Sequence, residues 1–187
     1  MNALVLADDD SVSLQGVAPN ADLLLCCGDV ADWAILKAAT ASGCRQILGV
    51  KGNHDSSGRF QSPILDLHLA VLEFGGLRFG GFNGSWKYKP RGNYLYEQSE
   101  VETLLKVFPP VDVFVAHNSP RLIHERDDDV HIGFAAFNSY IERVKPLLFI
   151  HGHQHVNQES TLGGTRVIGV FGQRQIVLPE RNQFDTT

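Results

Sequence analysis

Apolar residues recur along the chain in short runs. Residues 3–7, 23–27, 47–50, 111–116 and 147–150 are each four to six residues long. Runs of that length read as strands of a sheet covered on both faces. Helical spacing fills several of the gaps. Residues 31–42 carry Trp33, Leu36, Ala38, Ala39 and Ala41, with Gly43 as a C-terminal stop. Residues 98–107 place Val101, Leu104 and Leu105 on one face, and Pro109-Pro110 ends that helix. Residues 133–144 repeat the pattern with Phe134, Phe137, Ile141 and Val144, before Pro146.

Two stretches have another texture. Residues 68–74 and 77–82 flank Gly75-Gly76, and residues 156–162 and 165–171 flank Gly163-Gly164. Both predict tight antiparallel hairpins, and residues 175–178 read as a third strand beside the second one. Alternating strands and helices, interrupted and finished by hairpins, predict α/β layers around mixed sheets. There is no repeat of solenoid period and no low-complexity stretch. One domain over residues 1–180 is expected, with a C-terminal tail at 181–187.

Composition narrows the class. The chain has 187 residues, 43% hydrophobic and 20% charged, which suits a globular domain and not a disordered one. No run approaches the roughly 18 apolar residues of a membrane span. The first apolar run is too short for a signal peptide and has no basic segment before it. A cytoplasmic protein without membrane contact is therefore expected. The formal charge of −5 argues against a general nucleic-acid-binding surface. It leaves nucleic acid open as a substrate, because bound cations change the local sign. Cys26, Cys27 and Cys44 are odd in number and lack CxxC spacing. They read as free thiols and not as a zinc site.

The candidate chemistry sits directly after the strands. Asp8-Asp9-Asp10 follows the first, Gly28-Asp29 the second and Gly52-Asn53-His54-Asp55 the third. His117-Asn118 and His151-Gly152-His153-Gln154-His155 follow the last two. Ligands of open α/β sheets bind outside the carboxyl ends of strands, so five such clusters can converge. Carboxylate, imidazole and amide oxygen are ligands of divalent metals. Asp8 and Asp10, like His153 and His155, have the i, i+2 spacing that shares a face of a strand.

These motifs resemble the calcineurin-like metallophosphoesterase family, whose pattern is D-x-H, G-D, G-N-H-[DE], H and G-H-x-H. The resemblance runs from about residue 3 to about residue 156. The third and fifth motifs are the most specific, and the length is similar to that of the family's compact, uncapped prokaryotic phosphodiesterases. It implies a four-layer α/β/β/α sandwich with two mixed sheets. It also implies two divalent metal ions roughly 3.5–4 Å apart that share a hydroxide for in-line attack on phosphorus. By resemblance one ion is held by Asp8, Asp10, Asp29 and His155, and the other by Asp29, Asn53, His117 and His153. Asp29 bridges. His54 then stabilises the phosphoryl oxygens or protonates the leaving oxygen, and Asp55 orients His54.

Asp10 departs from the pattern, which has histidine there. Either it still ligates, favouring manganese or another oxygen-loving metal over iron or zinc, or it falls short and the first ion is loosely held; manganese is expected, with iron, zinc, nickel or magnesium as alternatives. Three carboxylates, two divalent ions and a hydroxide sum to about zero charge. That favours a singly charged phosphodiester over a dianionic monoester. The expected substrate is a small-molecule or nucleotide phosphoester. The alternatives are a phosphomonoesterase, a nuclease, or a protein-interaction scaffold like the retromer subunit that shares this fold. Among the remaining groups, His151 is expected to point away from the metals. His68, His124 and His131 read as structural or surface residues, and 127–129 as a solvated acidic loop. The loop with Trp86, Lys87, Lys89 and Arg91 reads equally as a substrate contact or as ordinary surface. Oligomeric state is left open.

Overall fold

The computed structural model describes residues 1–11 and 20–180. The proposed tail, residues 181–187, lies outside the described residues. Along the chain come β1 (Asn2–Ala7), β2 (Leu23–Cys26), α1 (Asp32–Ser42), β3 (Gln46–Gly49) and β4 (Leu65–Asp66). The hairpin β5 (Val71–Phe74) and β6 (Leu77–Phe82) follows, then β7 (Ser85–Trp86), β8 (Leu95–Tyr96) and α2 (Gln98–Lys106). The last part holds β9 (Val113–Ala116), α3 (Ala135–Val144), β10 (Leu148–His151), β11 (Glu159–Leu162), β12 (Thr165–Gly169) and β13 (Gly172–Val177).

Two mixed sheets result. One has five strands in the order β13-β1-β2-β3-β4, and the other has six in the order β11-β12-β10-β9-β6-β5. Alternate residues of a strand leave on opposite faces. Val5, Leu25 and Val50 therefore meet Phe79, Val115 and Ile150 between the sheets. Leu4, Leu6 and Leu24 face outward onto Ala34, Ile35 and Ala38 of α1. On the far side, Phe114 and Phe149 pack against Val101 of α2 and against Phe137 and Tyr140 of α3. The four layers α/β/β/α follow, and both faces of each central strand are apolar, which is why these runs do not alternate in sequence.

Both diglycine turns carry positive φ, 59° and 79° at Gly75 and Gly76 and 57° and 90° at Gly163 and Gly164. Two consecutive left-handed residues are what a two-residue hairpin turn of matching twist demands. The structure corrects one assignment. Residues 175–178 do not extend the β11–β12 hairpin. β13 crosses to the other sheet and pairs antiparallel with β1, from Asn2 with Val177 to Ala7 with Gly172. Ile176 and Leu178 then reach the core between the sheets, and the apolar surface so buried offsets the longer connection. The third helix begins at Ala135, two residues later than expected. Phe134 is extended, at φ −94° and ψ 121°, with its N–H on the Ser119 carbonyl. No helix among the described residues is long and apolar enough to cross a membrane.

Candidate metal centre

β1, β2 and β3 are parallel neighbours, as are β9 and β10 in the other sheet. Their carboxyl ends lie along one edge of the sandwich, and the polar motifs start there. Small residues let the loops interlock. A Cβ on Gly52 would lie 2.1 Å from Asp29 Oδ1, and one on Gly152 would lie 2.7 Å from Asp8 Oδ2. Asp8, Asp29, His153 and His155 all have φ between 50° and 62°. Four non-glycine residues in the left-handed region at one site mark a backbone held by its surroundings for a function.

One ligand atom each from Asp8, Asp29 and His117 falls within 4.8 Å of the others. His117 Nε2 lies 3.0 Å from Asn53 Oδ1 and 3.3 Å from Asp29 Oδ2. Two donors at right angles on one ion of about 2.1 Å bond length stand about 3.0 Å apart, so this spacing suits a shared metal. The Cys27 carbonyl takes His117 Nδ1 at 2.8 Å. That contact orients the ring and leaves Nε2 toward the centre, as carbonyl partners of ligating histidines do. The rings of His117 and His153 are 4.9 Å apart, and His155 Nε2 is 3.9 Å from Asp8 Oδ1. Asp8 Oδ2 accepts the His153 N–H at 2.8 Å. Asp8 Oδ1 is buried without a hydrogen-bond partner. Its side chain is 2% exposed, and an orphaned buried carboxylate oxygen is costly unless a cation meets it. The donor set and the orphaned atom fit a divalent metal.

Electrostatics agree. Burial, against the pull of His117, raises the Asp8 carboxyl to about 7. Burial also acts to raise Asp29, but the His117 charge and the bonds from His117 and the His54 N–H outweigh it and hold Asp29 at about 2. His117 is pushed down by burial and up more strongly by Asp29 and Asp8, reaching about 9. Burial keeps His153 and His155 below the usual imidazole range, so both present neutral nitrogens.

A model of the family described as "calcineurin-like phosphoesterase" matches residues 11–157. This chain belongs to that family. The family is one of metal-dependent phosphoesterases. A human lariat debranching enzyme is 26% identical over 198 aligned positions. The match covers 72% of this chain, but the chain spans only 36% of that protein's length. Among solved structures, phosphopantetheinyl hydrolase from Mycobacterium tuberculosis superposes with a TM-score of 0.61 at 14% identity, covering 96% of both chains. TT1561 of Thermus thermophilus gives 0.60 at 13%, covering 91% of this chain and 89% of that one. Vps29 from Entamoeba histolytica, complexed with zinc, gives 0.51 at 15%, covering 92% and 74%. At these identities the likeness is one of fold.

Asp10 lies on the open, cleft side of the centre. It is exposed, and its Oδ1 accepts the Ala31 N–H at 2.6 Å. It borders a cleft of about 270 Å³ together with Asp29, Lys51, His54 and Asp55. His54 is exposed in that cleft, with its N–H on Asp29 Oδ1 at 2.8 Å. Asp55 takes a different role from the one expected. Its Oδ2 accepts the N–H groups of Asp29 at 2.9 Å and Gly52 at 2.7 Å, so it braces two ligand loops. No hydrogen bond joins it to the His54 ring among the described residues. His151 turns away from the centre, with Nδ1 on the Gly152 carbonyl and Nε2 2.9 Å from His124. His68 Nδ1 accepts the Asn83 N–H, a structural contact. Two groups near the centre were not singled out as functional in the sequence, where His131 read as structural or surface. The His131 ring lies 4.9 Å from that of His153 and is held by Asp128 through Nδ1 at 2.7 Å. The Tyr88 hydroxyl lies 3.3 Å from Asn53 Nδ2. Neither sits in a strand-end motif, so no spacing signalled them.

Proposed function

We propose that this chain hydrolyses a phosphodiester at a centre of two divalent ions, manganese by preference. The observation that carries this reading is the convergence of Asp8, Asp29 and His117 around a buried carboxylate oxygen with no hydrogen-bond partner. One ion would be held by Asp8, Asp29 and His155, with Asp10 contributing from the cleft, and the other by Asp29, Asn53, His117 and His153. Asp29 suits the shared position because its two oxygens face different neighbours, Oδ1 the His54 N–H and Oδ2 His117. Bound metal supplies a water-derived nucleophile and offsets charge on the phosphoryl oxygens.

The chain's own groups do the rest. Asp55 holds the Gly52 and Asp29 amides, which sets the spacing of the ligand loops. The His54 imidazole, on the open side of the cleft, delivers a proton to the leaving oxygen. Carboxylates of Asp10, Asp29 and Asp55 around the cleft disfavour a dianionic monoester and leave a monoanionic diester acceptable. The substrate is a small-molecule or nucleotide phosphoester. Three free cysteines, two of them buried, suit the reducing cytoplasm.

Metal-stripped protein resupplied with manganese tests this on bis-p-nitrophenyl phosphate and on p-nitrophenyl phosphate. Diester turnover should exceed monoester turnover, and His54→Ala should lower it by about 10²–10⁴ with metal content unchanged. Faster monoester turnover would overturn the diester assignment. No turnover with two ions bound would replace hydrolysis by protein assembly as the leading reading.

A further inference from the structure

β7 and β8 pair as a separate two-stranded ribbon, Ser85 with Leu95 and Trp86 with Tyr96. The loop between them, residues 87–94, leans on the metal motif from outside. Asn53 Nδ2 donates to the Tyr88 hydroxyl at 3.3 Å, Asn93 Nδ2 donates to the Asp55 carbonyl at 2.8 Å, and the Tyr94 hydroxyl donates to the Ser56 carbonyl at 3.2 Å. The base of the ribbon is tied to the same motif, because Gly84 N–H donates to the Lys51 carbonyl at 2.7 Å. A Cβ on Gly84 would stand 1.9 Å from the Tyr94 carbonyl oxygen, so only glycine permits this contact. The loop is thus bonded on both sides of His54.

Its charge is unlike its surroundings. The cleft holds Asp10, Asp29, Asp32 and Asp55 against Lys51, and Lys51 is already 3.6 Å from Asp32. Lys87 is paired with Glu97 at 3.1 Å. Lys89 and Arg91 have no carboxylate partner among the described residues, and the Lys89 ammonium sits 4.9 Å over the Tyr88 ring. The metals and His54 already serve the scissile phosphate, so they leave this cationic loop without a role in the chemical step. A cation poised over the ring also occupies the face on which a base would stack, which favours an anion over a nucleobase here.

We propose that Tyr88 and Lys89, with Arg91 beside them, form a subsite for a second phosphate carried by the same substrate, which is a nucleotide diester bearing a further phosphate. The subsite rests on the hydrolytic reading for its place in the reaction, and its test is separable from it. Thymidine 5′-(p-nitrophenyl phosphate) is compared with its 3′-phosphorylated form at constant ionic strength. The 3′-phosphate should lower KM by about five- to tenfold, as a charge-assisted contact does. Lys89→Gln should bring that ratio close to one, while Lys87→Gln, whose ammonium is already paired, should retain it. A wild-type ratio near one, or equal loss in both variants, overturns the subsite. The same comparison is read without turnover by titrating thymidine 3′,5′-bisphosphate and thymidine 5′-monophosphate into manganese-loaded protein. A preference for the bisphosphate that Lys89→Gln abolishes would uphold the subsite even if neither ester were hydrolysed. No preference in binding would overturn it.

Discussion

At the scale of single residues, the centre is a set of buried charges that disagree about their protons until a cation arrives. In the metal-free chain His117 is held at about 9, against 6.5 unfolded. Its stabilisation is fully present below pH 6.5 and is lost as pH rises through 9. Asp8, raised to about 7 from 3.8, is protonated only in the folded state between those values, and its contribution declines over that range. His151 acts in the opposite sense, because burial depresses it to about 3 and folded-state stability is regained as pH rises toward 6.5. The clean window therefore lies above pH 6.5. The melting temperature of metal-free protein should fall between pH 7 and 9, and the stabilisation given by added manganese should grow over the same range, because ligands must shed protons to bind. A metal-free melting temperature that rose across that window would contradict the charge assignment of His117. The convergence of Asp8, Asp29 and His117 was legible in the sequence because each lies in a motif that follows a strand. The different situation of Asp10 was not, since its bond to the Ala31 amide depends on where α1 begins.

At the scale of elements, local signals worked where they were self-contained. The second helix carries a capping box. The Glu97 side chain accepts the backbone N–H of Glu100, and Glu100 Oε2 accepts the Glu97 N–H at 2.7 Å. Glu100→Ala should lower the unfolding free energy by ~0.5–1 kcal/mol, read from the urea midpoint, with metal content unchanged. A loss several times larger would mean that Glu100 bears on packing and not only on the helix end. The diglycine hairpins were legible for the same local reason. β4, β7 and β8 were not. Each has two residues, too few for any periodicity, and each exists because a neighbouring strand or loop offers it hydrogen bonds. β13 looked like a hairpin continuation, but the free edge of β1 competes for it and wins by burying Ile176 and Leu178.

At the scale of the molecule, the centre joins two sheets. Asp8, Asp29 and Asn53 follow strands of the five-stranded sheet, whereas His117, His153 and His155 follow strands of the six-stranded sheet. On the proposed ligand set, bound metal would bridge the sandwich edge as well as serve as a reagent. Saturation at a hundred times the dissociation constant contributes about 2.7 kcal/mol to a single site. Chelation should lower the melting temperature and loosen amide protection at the carboxyl ends of both β1–β3 and β9–β10. Loosening confined to one sheet would contradict the bridging arrangement.

The amino-acid sequence alone determined the α/β layering, the order of most elements and the strand-end motifs that converge at the centre. Those depend on hydrophobic patterning, on turn residues and on motifs that each occupy a few consecutive positions. Tertiary structure decided the rest. It set which edge β13 joins, gave Asp55 two backbone amides to brace, tied Asp10 to the Ala31 amide and laid the Tyr88 loop against Asn53. Each of these is a contact between segments far apart in the chain, where the choice rests on competing partners in space and leaves no mark in local spacing.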